Sequence, residues 1–275
     1  MQLSVSQIAW DSGRDPAFFG LLAAADFHGI DIAPTKIWSD WVVSDASLTD
    51  YKHTLGAHGM TGVGMQSIFF GTKGLNVFGD DASWQAVSRH FTLVCRIAGE
   101  LGVKAVVFGA PANRDPGERS ASEINPLAQE RFAHMGDVAK REGTCLCLEP
   151  VPADLGSKFL RTTTETAAFV RALAHPAVKM NLDTAVLVAE GCDAAGTRAA
   201  VLENLDVIGH VHASEPQLGP FAAPRGLHNH VARALHDGGY TGGVAIEMRA
   251  DADIVRSRAN LIEALAFVGR VYRVH

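Results

Sequence analysis

The chain has 275 residues, 47% of them hydrophobic, and a formal net charge of −6. That length and apolar content suffice for one large core, and (β/α)₈ barrels take about 250 residues. The acidic balance argues against a nucleic-acid partner, which would call for a basic face. No stretch approaches the roughly 20 apolar residues that span a bilayer. The N-terminal MQLSVSQIAW has neither a basic n-region nor a long apolar run, so no signal peptide is expected. Cys95, Cys145, Cys147 and Cys192 fall in no zinc or redox spacing. A cytoplasmic, disulfide-free protein is the expectation.

In chain order, short β-branched runs alternate with longer amphipathic stretches eight times. LSVSQIAW precedes a helix around PAFFGLLAAADFH, and GIDIAP precedes SLTDYKHTLGAHG. GVGMQSIFF leads to SWQAVSRHFTLVCRIAGELG, and AVVFGAP passes through a polar loop to PLAQERFAHMGDVAKREG. TCLCLEPVP pairs with TTTETAAFVRALAH, VKMNLDTAVL with TRAAVLENL, and VIGHVHASE with LHNHVARALHDGG. GVAIEMR and ADIVRSRANLIEALAFVGRVY complete the series. Such alternation needs parallel strands and crossover helices. Eight units fit a closed barrel, and no GxGxxG follows the first strand as a dinucleotide fold would require. With no linker, charge block or low-complexity tract, residues 1–275 read as a single α/β domain, a (β/α)₈ TIM barrel.

Four predicted strand ends each carry a metal-ligand residue: Glu149 in CLCLEP, Asp183 in KMNLDT, His212 in HVHASE and Glu247 in AIEMR. Strand parity puts Glu149 on the face of Cys145 and Cys147, His212 on that of His210, and Glu247 on that of Ala245 and Arg249. The alternate positions are apolar, as expected against a helix layer. The polar set therefore points into the barrel near its C-terminal rim, where such barrels place their sites. Buried carboxylates are costly unless paired or metal-bound. Three of them with one imidazole make a hard, oxygen-rich site for one divalent ion, with Mn²⁺ expected and Mg²⁺ or Co²⁺ as alternatives.

The segments GIDIAPTKIW, MQSIFFG, VVFGAPANRD, LCLEPVPADLGSKFLRTTTETAAFV, NLDTAVL, HVHASEP and GGVAIEM resemble the xylose isomerase-like TIM barrels, the sugar phosphate isomerase/epimerase superfamily. The resemblance covers nearly the whole chain. It implies that Glu149, Asp183, His212 and Glu247 bind one divalent metal, and that Glu149 and Glu247 also act as acid and base. Ketose 3-epimerases of this superfamily carry a substrate-contacting histidine where this chain has Val186. An arginine stands at their equivalent of Leu218, and a glutamate at that of Leu155. These departures point away from a free ketohexose substrate.

The expected reaction is isomerisation or epimerisation of a sugar, sugar phosphate or cyclitol by proton transfer next to a carbonyl. Gln66 and Glu215 are candidates for binding its hydroxyls, Lys36, Asn113 and Arg114 for contacting the substrate, Arg249 for a carboxylate or phosphate, and Trp38 for stacking on a sugar face. Asp31, near the end of the second strand, is a further hydrogen-bonding candidate. His210 is expected a layer below His212, and self-association into a homo-oligomer is an expectation of the family. An inosose-type dehydratase needs the same proton abstraction and stands as the alternative. An endonuclease IV-like phosphodiesterase would need further strand-end histidines, which GIDIAP and MQSIFF lack, and a non-enzymatic sugar-binding barrel would have no use for four ligands.

Overall fold

β-branched and small residues build eight short strands: β1 (Gln2–Ser6), β2 (Gly29–Ile32), β3 (Thr61–Met65), β4 (Ala105–Phe108), β5 (Cys145–Leu148), β6 (Val178–Asp183), β7 (Ile208–Ser214) and β8 (Gly243–Glu247). In this computed structural model, which describes residues 1–221 and 226–273, they pair in parallel and in chain order. β8 returns to β1 and closes the barrel. Parallel neighbours require a crossover, and helices supply each one: α1 (Asp15–Ala24), α2 (Asp45–Ala57), α3 (Asp81–Glu100), α4 (Ala121–Arg141), α5 (Thr163–Leu173), α6 (Thr184–Ala189), α7 (Ala194–Leu202), α8 (Leu227–Asp237) and α9 (Ile254–Tyr272). The result is a single (β/α)₈ barrel.

Helix starts follow side-chain capping. Asp80 accepts from the Ser83 N–H at 2.9 Å ahead of α3, and Thr162 accepts from the Glu165 N–H at 3.0 Å ahead of α5. Two elements differ from the sequence expectation. α4 begins at Ala121 rather than at Pro126, because Glu123 accepts from the Ser120 N–H at 2.9 Å and starts the helix early. Pro126 then falls inside α4 at the loss of one backbone bond. In VKMNLDTAVL the strand stops at Asp183, whose carboxylate caps α6, so TAVL is helical.

The main core lies between the outer faces of the strands and the helices, with Phe19, Phe91, Phe132, Leu148, Val211, Ile246 and Leu261 among its fully or almost fully buried members. The barrel interior is different. A small apolar group of Ala105, Val107 and Cys147 shares it with buried Ser4, Ser6, Asp31, Asn181, His210 and His212. Asp31 ties three strands together: Ser4 of β1 donates to Oδ1 at 2.6 Å, and His210 of β7 lies 2.6 Å from Oδ2. Among the described residues no helix is long and apolar enough to cross a membrane. All four thiols are free.

Candidate metal centre

Glu149 is the first residue beyond β5, and its N–H donates to the Phe108 carbonyl at 3.2 Å, extending the ladder to β4. Asn181 Nδ2 donates to Glu149 Oε1 at 2.7 Å from the next strand. The pairing of β6 with β7 shifts register between Met180 and Asn181, just before Asn181 and Asp183 reach the rim. Asp183 Oδ1 accepts from the Ala185 N–H at 2.6 Å, the Val186 N–H at 3.3 Å and Ser214 Oγ at 2.5 Å. All three donors use one oxygen, so Oδ2 is the atom offered to a cation.

His212 stands between the carboxylates, fully buried. Its Nδ1 lies 2.9 Å from Glu149 Oε1 and 3.3 Å from Glu247 Oε2, yet neither ring nitrogen forms a hydrogen bond. A buried nitrogen beside two carboxylates but off the N–H line is poorly served by them. A cation shared by all three groups answers that need. Ligand atoms of Glu149, Asp183, His212 and Glu247 all lie within 4.8 Å of one another. Ligands on opposite sides of one ion, at bonds of about 2.1 Å, are about 4.2 Å apart, so closing on an ion takes a small contraction.

Electrostatics lead to the same conclusion. Burial, reinforced by Glu149 and Glu247, raises the Asp183 carboxyl to about 7. Burial works against a charged His212, but Glu247, Asp31 and Glu149 outweigh it and hold the imidazole well above its ordinary range. Glu149 is also opposed by burial, yet His212, Asn181 and Arg114 keep it below the usual carboxylate value. Three crowded carboxylates thus draw protons onto their neighbours, the response expected where positive charge is missing. The donor set fits a divalent ion. Behind the ring, Asp31 Oδ2 is 3.7 Å from His212 Nε2, the side from which carboxylates orient metal-bound imidazoles. Asp31, His210 and His212 form a second compact group. Asp31 is already held by Ser4 and His210, so that group braces the first.

Two chambers open from the centre and share Gly109, Glu149 and Glu247. One, of about 360 Å³, is also lined by Gln66, Ser67, Phe69, Phe70 and Asn113. The other, of about 450 Å³, includes Asp183, Glu215, Pro150, Leu155, Val186 and Leu218. Of the residues proposed from sequence to contact substrate, the structure brings Gln66, Asn113 and Glu215 to these walls. Gln66 Nε2 donates to Ser6 Oγ, and Asn113 Nδ2 donates to the Leu75 carbonyl at 2.6 Å. Glu215 Oε1 lies 3.1 Å from His228 Nε2, whose Nδ1 is 3.0 Å from the Tyr272 hydroxyl.

The other four sit elsewhere. Trp38 is buried edge-on to Tyr51, with its indole N–H donating to Ser47 Oγ at 3.1 Å. Lys36 Nζ donates to the Trp10 carbonyl at 2.8 Å. Arg114 is almost wholly buried and donates to the carbonyls of Phe108 at 3.2 Å and Glu149 at 2.6 Å, so it braces the strand that carries Glu149. Burial draws its guanidinium down to about 10. Arg249 is exposed, because β8 ends at Glu247 and the inward alternation ends with it; its N–H donates to the Leu218 carbonyl at 2.9 Å. Sequence reasoning missed Asn181, Ser214, Gly109 and His228. Asn181, two residues before Asp183, was the one that strand parity offered.

A family model described as xylose isomerase-like TIM barrel matches residues 19–270. The chain belongs to this family. Its fold is similar to that of a D-psicose 3-epimerase solved in the presence of D-fructose (20% identity, 99% of each chain, TM-score 0.80). It is also similar to a 3-keto-D-glucoside 4-epimerase from E. coli (17% identity, 97% of this chain and 99% of that one, TM-score 0.76). An IolI protein with a bound zinc atom shares the fold over the full length of both chains (16% identity, TM-score 0.73). No curated protein matches the chain in sequence at a significant level.

Proposed function

We propose that this protein is a divalent-metal-dependent sugar isomerase or epimerase that moves a proton at the carbon next to a carbonyl. The observation that carries this reading is the convergence of Glu149, Asp183, His212 and Glu247 within 4.8 Å at the mouth of a cleft. The epimerase activities named for proteins of similar fold support it. Glu149, Asp183, His212 and Glu247 would hold a divalent ion, Mn²⁺ in the first instance, which would supply Lewis-acid polarisation of the substrate carbonyl.

The chain's own residues supply the rest. Glu149 and Glu247 come from β5 and β8, which lie apart around the barrel, and both border the two chambers. One carboxylate takes the proton from one face of the substrate, and the other returns one to the opposite face, which inverts the carbon. Return on the original face to the neighbouring carbon gives isomerisation. Asn181 and Arg114 fix Glu149, while Gln66 and Asn113 offer amides to hydroxyl groups. The partner is a sugar-like small molecule, and a cytoplasmic setting suits the free thiols. Self-association completes the proposal.

The test is metal-dependent deuterium uptake at carbon, followed by NMR after the metal is stripped, on ketoses, aldoses, their phosphates, keto-glycosides and keto-cyclitols. Exchange that requires the metal supports proton transfer. No exchange on any of these compounds overturns it, and loss of water from the product assigns the dehydratase instead.

A further inference from the structure

The three positions at which the chain departs from ketose 3-epimerases are far apart in sequence, yet Leu155, Val186 and Leu218 line one chamber. Pro150, Val151, Pro152 and Pro216 complete much of its wall. Leu155 stands 63% exposed at the rim of this wall. Leu218 follows Gln217 in a pair of left-handed residues (φ 56° and 60°), a conformation that side-chain-bearing residues seldom adopt. The backbone holds it there: the Leu218 N–H donates to the Glu215 carbonyl and its own carbonyl accepts from Arg249, both at 2.9 Å. A strained turn that sets a leucine in a cavity wall marks a site-directed feature.

This chamber is continuous with the metal centre, since Gly109, Glu149 and Glu247 border both chambers. A molecule held at the centre therefore extends along a proline, valine and leucine wall. Hydroxyl groups there would find partners at Asp154, Asp183, Glu215 and Gln217 alone and would leave water unpaired along the rest of the wall, whereas an apolar substituent gains by leaving water. An anionic substituent would meet Asp154, Asp183 and Glu215 on the same wall. Resting on the proton-transfer reading above, we propose that the substrate is a carbonyl-bearing sugar with an apolar substituent, an alkyl or aryl glycoside in chemical class. Its sugar ring is held at the Glu149–Asp183–His212–Glu247 centre beneath Gln66 and Asn113, and its aglycone fills the Leu155–Val186–Leu218 chamber.

Calorimetric titration of the Mn²⁺-loaded protein with methyl, butyl and hexyl 3-keto-β-D-glucopyranosides, and with 3-keto-D-glucose as the unsubstituted control, tests this. The dissociation constant should fall roughly two- to fourfold per added methylene until the chamber is filled. Leu155→Glu, a rim substitution that the fold tolerates, should flatten that dependence. Equal affinity across the series, or an unchanged dependence in Leu155→Glu, overturns the proposal. Sedimentation in which Leu155→Glu dissolves a dimer while the dependence persists makes the wall a contact between copies of this chain, and likewise overturns it. Deuterium uptake on the same compounds separates the two readings. A chain-length trend without exchange keeps the chamber assignment and removes proton transfer; exchange on free ketoses without a trend does the reverse.

Discussion

Gly109, just past β4, lies against the Glu149 carboxylate so closely that a β-carbon at position 109 would overlap Oε2. Glu149 cannot simply swing aside, because Asn181 Nδ2 holds Oε1 at 2.7 Å and Arg114 holds the backbone carbonyl at 2.6 Å. The absent side chain is thus part of the candidate metal centre. Gly109→Ala is expected to keep its far-ultraviolet circular dichroism while losing most metal affinity, as measured by calorimetric titration with Mn²⁺. Native affinity in the alanine variant would show that Glu149 has room to relax.

Asp183 and Ser214 separate a ligand from its support. Asp183→Asn removes an anionic oxygen from the centre. Ser214→Ala keeps that oxygen and removes the 2.5 Å hydrogen bond to Oδ1, together with the 3.2 Å one that Ser214 Oγ accepts from the Ala185 N–H. Loss of such a supporting partner costs about 10–100-fold in metal affinity, and loss of the ligand itself should cost more. Metal titration of the two variants should rank them in that order, and a reversed order would remove Asp183 from the ligand set.

Glu149→Gln and Glu247→Gln keep the side-chain shape and a neutral oxygen but remove a base. Turnover should fall about 10²–10⁴-fold, and saturating Mn²⁺ should not restore it. A variant that regains near-normal turnover with added metal identifies that glutamate as a ligand only. Glu215, on the chamber wall and facing His228, would then be the next base to examine.

Metal removal should be visible in stability. Without an ion, the Glu149, Asp183 and Glu247 carboxylates face one another in a buried site. Ligand at 100 times its dissociation constant stabilises by about 2.7 kcal/mol. For a chain of this size that corresponds to a Tm higher by about 5–10 °C. Differential scanning fluorimetry with and without a chelator reads the shift, and identical melting curves would contradict a bound ion.

Arg114 offers a stability test independent of the ion. Arg114→Met leaves the Glu149 carbonyl without this donor, while the Phe108 carbonyl keeps the Glu149 N–H, at about 1–3 kcal/mol for the unsatisfied group. Urea unfolding should show a loss in that range or above. An unchanged midpoint would mean that water replaces the guanidinium.

The barrel and the strand-end placement of Glu149, Asp183, His212 and Glu247 are legible in the sequence because both follow local rules. Alternating faces and one ligand per strand end survive in any window of a few residues. What the sequence hides depends on contacts between distant segments. Asp31 and His210 are 179 residues apart and meet only because the barrel closes. Arg114 reads from its loop as a cation free for substrate, but the neighbouring ends of β4 and β5 offer it two carbonyls and it turns inward. Trp38 is drawn the same way into the space beside Tyr51. Parity failed at Arg249 because it was carried past Glu247, where the strand ends.

The candidate ligands sit at strand ends, whereas Leu155 and Leu218 each close a short 3₁₀ turn and Val186 lies on a short helix just past a strand. The parts that would choose a substrate can therefore vary while the parts that would transform it stay fixed. A mutational library confined to Leu155, Val186 and Leu218 should retarget the cleft across substituents of different size and polarity, with few members lost to misfolding, because none of the three braces the barrel.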